Sequence, residues 1–336
     1  MREALVGSLA AAGLLLGARS AIGAGPEAGR TYANPVLVDT HAIRRAGPAP
    51  YHGTLGIGDP AVIRHDGRYY LYPTGDNASY DVYLSDDLVH WTKGPKVFRS
   101  GERGVWAPDV FFDQRDRTFY LYYTVDRRIG VAASDRPDGT FADRGSLVAA
   151  AIDAHLFRDD DGALYLYYAR YPDFAIFVQA MRSPLAKKDE PPVELLAPTE
   201  AWERRDVPVT EAPWVLKRAG TYYLLYSAGS ADSEHYAIGY ATAKDARGPF
   251  TKHRGNPIVR EGGGIFGPGH VAVVADGAGD LWLVYHQQKD ATRGWNRIIC
   301  IDRLRFDADG TLRATPTRGT PLPAPAALAR TGRAAP

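Results

Sequence analysis

Five times along the chain, an apolar run is followed by a short polar turn and a run dense in aromatic residues. The first copy is Asp59-Pro-Ala-Val-Ile-Arg-His-Asp-Gly67 followed by Arg68-Tyr-Tyr-Leu-Tyr72. The second joins Trp106-Ala-Pro-Asp-Val-Phe-Phe112 to Phe119-Tyr-Leu-Tyr-Tyr123. The third joins Asp153-Ala-His-Leu-Phe157 to Leu164-Tyr-Leu-Tyr-Tyr168 through Asp159-Asp-Asp-Gly162. The fourth joins Glu211-Ala-Pro-Trp-Val-Leu216 to Tyr222-Tyr-Leu-Leu-Tyr226, and the fifth joins His270-Val-Ala-Val-Val274 to Leu281-Trp-Leu-Val-Tyr285. The ring residue before each central Leu (Tyr70, Tyr120, Tyr165, Tyr223, Trp282) recurs at intervals of 50, 45, 58 and 59 residues. Aromatic and β-branched runs separated by Asp-Gly-type turns are hairpin signals, and repeats near this length with several strands each indicate propeller blades. Further strands are expected between the hairpins, at Asp81–Ser85, Ile129–Ala133, Ile176–Ala180, Tyr236–Tyr240 and Arg297–Asp302. The fold class is therefore all-β, a five-bladed β-propeller with minimal helix.

Composition fits this reading. The 35 Gly and 24 Pro supply turns without reaching a low-complexity share, and much of the excess among the 20 Tyr lies in the repeated strand. The 40 basic and 39 acidic residues leave a formal charge of +1, without the basic footprint of a nucleic-acid binder. The single cysteine, Cys300 in an apolar run, excludes an intramolecular disulfide and a cysteine metal cluster. At the N-terminus Arg2 precedes an apolar stretch from Ala4 to Gly17 and then small residues to Ala24. That stretch is too short to span a bilayer and has the layout of a secretory signal peptide. The expected organisation is a signal peptide over 1–24, one propeller domain over 25–323 and a poorly ordered Ala- and Pro-rich tail over 324–336. The expected location is secreted or periplasmic, with no membrane association after cleavage.

Aligning the copies on the aromatic strand puts Asp59, Trp106, Asp153, Glu211 and His270 in one slot that opens each first strand. In a propeller such positions converge at the mouth of the central axis. Three carboxylates buried together disfavour joint ionisation, so a shared function is the expected reason for the cluster. An ionised Asp can deprotonate water while a protonated Glu donates to a leaving oxygen, a third carboxylate can raise and orient the acid, and Trp offers a flat face to a sugar ring. This chemistry is glycosidic bond hydrolysis with no redox cofactor. Asp109, Glu234, His235 and His52 are rival pocket residues, and Glu261 is expected to be solvated.

At these residues the chain resembles glycoside hydrolase family 43, from Asn34-Pro35 to about Pro323. Gly58-Asp59-Pro60 is similar to the motif bearing that family's general base. Ala151-Ile-Asp153 with Asp159-Asp-Asp-Gly162 is similar to the motif of the pKa modulator, and Glu211-Ala-Pro, with Lys217 downstream, to that of the general acid. Trp106-Ala-Pro-Asp109 resembles the segment whose Trp lines the sugar subsite, and Arg297 the last-blade Arg that contacts substrate. Gly267-Pro-Gly-His270 resembles the segment whose His lies deep in the pocket near a metal or its waters, so a structural calcium ion at His270 is the implied metal. Ala154 and Ala212 stand where the family often has Pro and Gly. The resemblance implies a five-bladed, inverting, exo- or endo-acting enzyme for arabinofuranosyl or xylosyl linkages in plant-type glycans. Two alternatives stand beside it: a related propeller glycosidase acting on fructan, which Gly58 before Asp59 disfavours, or on anhydro-galactose, and a sugar-binding propeller without catalysis.

Overall fold

The computed structural model describes residues 29–42, 54–102 and 104–329. The expected signal peptide and His52 lie outside them. Four-stranded antiparallel blades follow one another in chain order. Blade one comprises Gly58–His65, Arg68–Thr74, Ser79–Ser85 and Thr92–Arg99. Blade two comprises Trp106–Asp113, Thr118–Val125, Arg128–Ser134 and Ala142–Ala149. Blade three begins Ala151–Arg158, Leu164–Arg170 and Ile176–Ser183, and its outer edge is shared by Ala186–Lys187 and Val193–Leu196. Blade four comprises Thr210–Arg218, Thr221–Ala228, Ala237–Ala243 and the short Thr251–Lys252. Blade five comprises Gly269–Ala275, Leu281–Gln288, Arg297–Phe306 and Leu312–Arg313. The protein is an all-β five-bladed propeller. Helix among the described residues is one 3-10 turn, Trp202–Arg204. Each third strand covers most or all of the segment expected for it.

The first strands are neighbours from blade to blade, and the fifth returns to the first, so they line the axis. Apolar residues pack between blades as well as within them. Tyr72, Val82 and Leu121 join blades one and two, Tyr122, Val131 and Leu166 join two and three, and Tyr167, Val178 and Leu224 join three and four. Leu225, Ile238 and Tyr285 join four and five, and Leu71, Val284 and Ile301 join five and one. The repeated tyrosine has a second use. The hydroxyls of Tyr72, Tyr122 and Tyr167 cross to the next blade and donate to the carbonyls of Pro137 (2.7 Å), Pro184 (2.7 Å) and Ala246 (2.6 Å). A ring buries apolar area while its hydroxyl finds a partner, so tyrosine suits an interface that ends at a loop backbone.

The terminal segments close the ring. Val36 N–H donates to the Ile299 carbonyl of blade five (3.0 Å), and Thr31–Tyr32 pairs with Leu322–Pro323. The tail expected to be poorly ordered from 324 is instead held as far as Ala329. Leu328 is buried in the cluster between blades five and one, and its N–H donates to Asp86 O (3.2 Å). Ala326 N–H donates to the carboxylate of Asp276 (3.0 Å). One apolar side chain and one buried acceptor are enough to fasten a segment whose composition alone suggests disorder. Residues 330–336 lie outside the described residues.

Every first strand breaks register at the same place. The partner pairs are Gly58↔Thr74 then Ala61↔Tyr72, Trp106↔Thr124 then Asp109↔Tyr122, and Ile152↔Ala169 then His155↔Tyr167. Blades four and five repeat it with Glu211↔Ser227 then Trp214↔Leu225, and Gly269↔His286 then Ala272↔Val284. Each break is a bulge with one residue in the left-handed region: Asp59 (φ 48°), Ala107 (44°), Asp153 (58°), Ala212 (51°) and His270 (52°). Such a residue costs roughly 1–3 kcal/mol unless its surroundings hold it. Here the turned N–H is captured by the preceding blade. Ala107 donates to Thr74 Oγ1 (2.7 Å), Asp153 to Thr124 Oγ1 (3.2 Å), His270 to Ser227 Oγ (2.8 Å) and Asp59 to His286 Nδ1 (3.2 Å). Blade three has Ala169 where the others carry an acceptor, and there Ala212 donates to the Asp153 carboxylate instead (3.0 Å).

This corrects the sequence alignment in one respect. Asp59, Asp153 and His270 share the bulge position with Ala107 and Ala212, whereas Trp106 and Glu211 stand one residue earlier, level with Gly58, Ile152 and Gly269. Hairpin turns of unequal length hid the offset. The capture also makes a stability prediction. Thr74→Val, which keeps the shape but removes the acceptor for Ala107 N–H, should lower unfolding free energy by about 1–3 kcal/mol in urea denaturation. Thr74→Ser should restore most of it, and equal stability of Thr74→Val and the native chain would contradict the role.

Candidate active site

At the mouth of the axis lies a pocket of about 630 Å³. Asp59, Trp106, Asp153, Glu211, His270 and Arg297 all line it. Asp59, Asp153, Glu211 and His270 are each less than a tenth exposed (8%, 7%, 7% and 9%). The two strand positions on either side of the bulge peptide thus supply five of the six side chains, and the third strand of blade five supplies Arg297.

The three carboxylates have similar burial and different partners. Asp59 Oδ1 accepts from Arg297 Nη1 (2.6 Å), with His270 Nδ1 and His286 Nδ1 each 3.4 Å away. Burial alone would raise this carboxyl, but Arg297 and then the two histidines outweigh it and hold Asp59 well below the ordinary carboxylate range. Among the described residues Glu211 forms no ion pair, and the Arg297 charge lowers it only as a lesser influence. Burial pushes its carboxyl up to about 7; a hydrogen bond from Tyr236 opposes the rise, and the charge of Asp59 adds to it. Asp153 is raised to about 8 by burial and then by the charge of Glu211. One site therefore holds an ionised carboxylate beside a carboxyl that is raised towards neutrality.

Small residues and rings fix this arrangement. A Cβ on Gly58 would lie 2.3 Å from Arg297 Cζ, so glycine is what lets the guanidinium reach Asp59. A Cβ on Gly269 would lie 2.0 Å from the Tyr236 ring. That ring donates its hydroxyl to Glu211 Oε1 (2.8 Å) and stacks on His286 at 5.6 Å. His286 accepts the Asp59 N–H at Nδ1, and burial followed by the Arg297 charge keeps its ring well below the usual histidine range. Tyr236 and His286 thus form a plate between Glu211 and Asp59. Neither was singled out from the sequence. Their signals were slight: His286 stands where blades one, two and four carry Thr74, Thr124 and Ser227, and Tyr236 opens a segment read only as a strand. Asp153 Oδ2 takes the N–H of Ala212, the residue after Glu211. Trp106 Nε1 donates to Asn77 Oδ1 (3.0 Å), which fixes its ring in the wall.

The rival residues lie elsewhere. Asp109 accepts the Leu156 N–H (2.9 Å) and neighbours His155, and neither residue lines the pocket. His235 pairs with Asp206 (3.3 Å), and neither it nor Glu234 is in the lining. Glu261, expected to be solvated, pairs with Arg205 (2.5 Å). Lys217 ties blade four to the blade-three turn through Asp159 (2.5 Å).

The surroundings of His270 do not suit a calcium ion held by protein ligands. Calcium takes six to eight oxygens, and the carboxylate nearest His270 already has a guanidinium on the same oxygen. Among the described residues no three His, Cys, Asp or Glu side chains form a metal-holding group.

The model for glycosyl hydrolases family 43 matches residues 55–312. A beta-D-galactofuranosidase of Aspergillus niger is 29% identical over 314 residues, covering 82% of this chain and 87% of the relative. An arabinan endo-1,5-alpha-L-arabinosidase A of Aspergillus aculeatus is 29% identical over 289 residues, covering 74% and 87%. The crystal structure of a thermostable family-43 glycoside hydrolase superposes with a TM-score of 0.78 at 35% identity, over 88% of this chain and 99% of the other. The bulged first strands, the buried carboxylates at the axis and these matches agree: the chain belongs to glycosyl hydrolase family 43 and is a glycosidase.

Proposed function

We propose that the protein is an exported, inverting glycosidase that cleaves arabinofuranosyl or xylosyl linkages in plant-type polysaccharides or oligosaccharides, with Asp59 as general base and Glu211 as general acid. The observation that carries this reading is the contrast between Asp59, held ionised by Arg297, and Glu211, raised to about 7 by burial. A water activated by Asp59 gives up its proton as its oxygen attacks the anomeric carbon. Glu211 delivers its proton to the glycosidic oxygen as that bond breaks, so the sugar leaves as a hemiacetal and the aglycone as an alcohol. Asp153 positions the acid by holding the N–H of Ala212. Trp106 and Arg297 border the sugar and His270 the water. No redox cofactor or metal enters any step. Similarity to an arabinan-acting enzyme supports the arabinofuranosyl choice, and similarity to a beta-D-galactofuranosidase makes galactofuranosides the first further class to assay. Export rests on the N-terminal apolar stretch.

Kinetics of variants test the roles. On aryl arabinofuranosides and xylosides, Asp59→Asn should lower kcat by about 10²–10⁴-fold whatever the leaving group. Glu211→Gln should lose as much on natural linkages and much less on activated aryl glycosides, whose leaving oxygen needs no proton. Full activity in either variant would contradict the assignment. The pH profile of kcat/KM tests the electrostatics. Activity requires Asp59 ionised and Glu211 protonated, so it should fall above about pH 7 and stay flat below the ordinary carboxylate range. Tyr236→Phe removes a bond that favours the charged form of Glu211, so the alkaline limb should move to higher pH. A limb that stays in place would mean that another group controls it.

A further inference from the structure

One wall of the pocket is built from side chains that the catalytic step does not use. Arg127, at the tip of the blade-two hairpin between Thr118–Val125 and Arg128–Ser134, lines the pocket with its guanidinium 4.7 Å from the centre of the Tyr171 ring. Tyr171 packs edge-on against Phe174 at 5.4 Å, and both line the same pocket. The wall is fastened through three blades. Ala151 N–H donates to the Arg127 carbonyl (2.9 Å), and Tyr171 N–H to the Ala150 carbonyl (2.8 Å). The Phe174 carbonyl accepts both the N–H (3.0 Å) and the hydroxyl (2.8 Å) of Thr210, the residue before Glu211. The wall therefore stands on the acid's side, where the leaving group must lie.

The charges in this wall are unbalanced. Arg297, the other guanidinium in the lining, is paired with Asp59. Arg128, the next residue in the hairpin, is bonded to Glu102. Arg127 has no carboxylate partner among the described residues and rests on an aromatic face, with Val207 and Pro208 also in the lining. A stacked guanidinium keeps its planar fork free and loses little freedom when a carboxylate docks. Rings beside it offer a face to a sugar. We propose that Arg127, Tyr171 and Phe174 form a subsite for a uronic-acid residue in the leaving-group part of the substrate, with Arg127 taking the carboxylate and the rings the sugar face. The proposal rests on the catalytic reading in one respect: Glu211 marks the leaving-group side.

The test uses two acidic substrates: arabinoxylo-oligosaccharides bearing glucuronate and arabino-oligosaccharides bearing galacturonate. Each is paired with its carboxyl-reduced, neutral counterpart. The native enzyme should prefer the acidic member of at least one pair by about tenfold in kcat/KM, as a charge-assisted bidentate contact allows. The preference should shrink as salt is raised. Arg127→Gln should bring the acidic-to-neutral ratio to about one. A response in the first pair assigns the carboxylate to a xylan source, and a response in the second to a pectic source. Calorimetric binding of the same pairs to Glu211→Gln separates this subsite from the catalytic reading, because it needs no turnover. If no member of either pair is hydrolysed but the acidic members still bind more tightly, the mechanism fails and the subsite stands. Equal binding and equal kcat/KM within both pairs, or a preference that survives Arg127→Gln, would overturn the proposal.

Discussion

The active site depends on a backbone device, a left-handed residue in each innermost strand whose N–H is taken by the blade before it. Five such residues are individually unfavourable. Each persists because a buried acceptor waits for its N–H: Thr74, Thr124, Ser227 or His286 at four junctions, and the Asp153 carboxylate at the junction of blades three and four. The bulge sets the two residues at the break at the mouth of the axis. From that geometry come Asp59, Asp153 and His270 at one position and Trp106 and Glu211 at the other. The missing hydroxyl at Ala169 is therefore part of the site, since it leaves the Ala212 N–H to a pocket carboxylate and so ties Asp153 to the strand that carries Glu211.

The chemistry then follows from what touches each carboxylate rather than from how deeply it is buried. Burial raises both Asp59 and Glu211. Arg297 reverses the rise at Asp59 because Gly58 lets it approach to hydrogen-bond distance. At Glu211 the Tyr236 hydroxyl only moderates the rise, and the charge on Asp59 adds to it. The ionised group thus helps keep its partner protonated, and Glu211 and Asp153 disfavour each other's ionisation as well. The contribution of Asp153 seen in the geometry is orientation, through Ala212. His286 serves both ends, accepting the Asp59 N–H and stacking on the ring that bonds Glu211.

The blade count, the fold class and five of the six pocket residues were legible because they repeat, whereas Arg297 was legible only through the family resemblance. Tyrosine strands, Asp-Gly turns and strand-opening acids recur in step, and recurrence survives without any knowledge of packing. The one-residue offset of Trp106 and Glu211 was not legible, since counting from the aromatic strand cannot allow for turns of different length. Tyr236, His286 and Arg127 were missed for another reason: each acts through a contact with a different blade. The stretch 324–329 is held where its composition suggested disorder, because a single side chain, Leu328, finds a place between blades five and one.

The central claim is that an ionised Asp59 and a protonated Glu211 flank the scissile bond with room for one water, so that water displaces the leaving group from the opposite face. Proton NMR of the first product formed from an aryl arabinofuranoside or xyloside, recorded before mutarotation, tests it most directly. The account predicts that the first anomer has the configuration opposite to the substrate's. A first anomer with the substrate's own configuration would contradict it, because retention requires a carboxylate to attack the sugar in place of water.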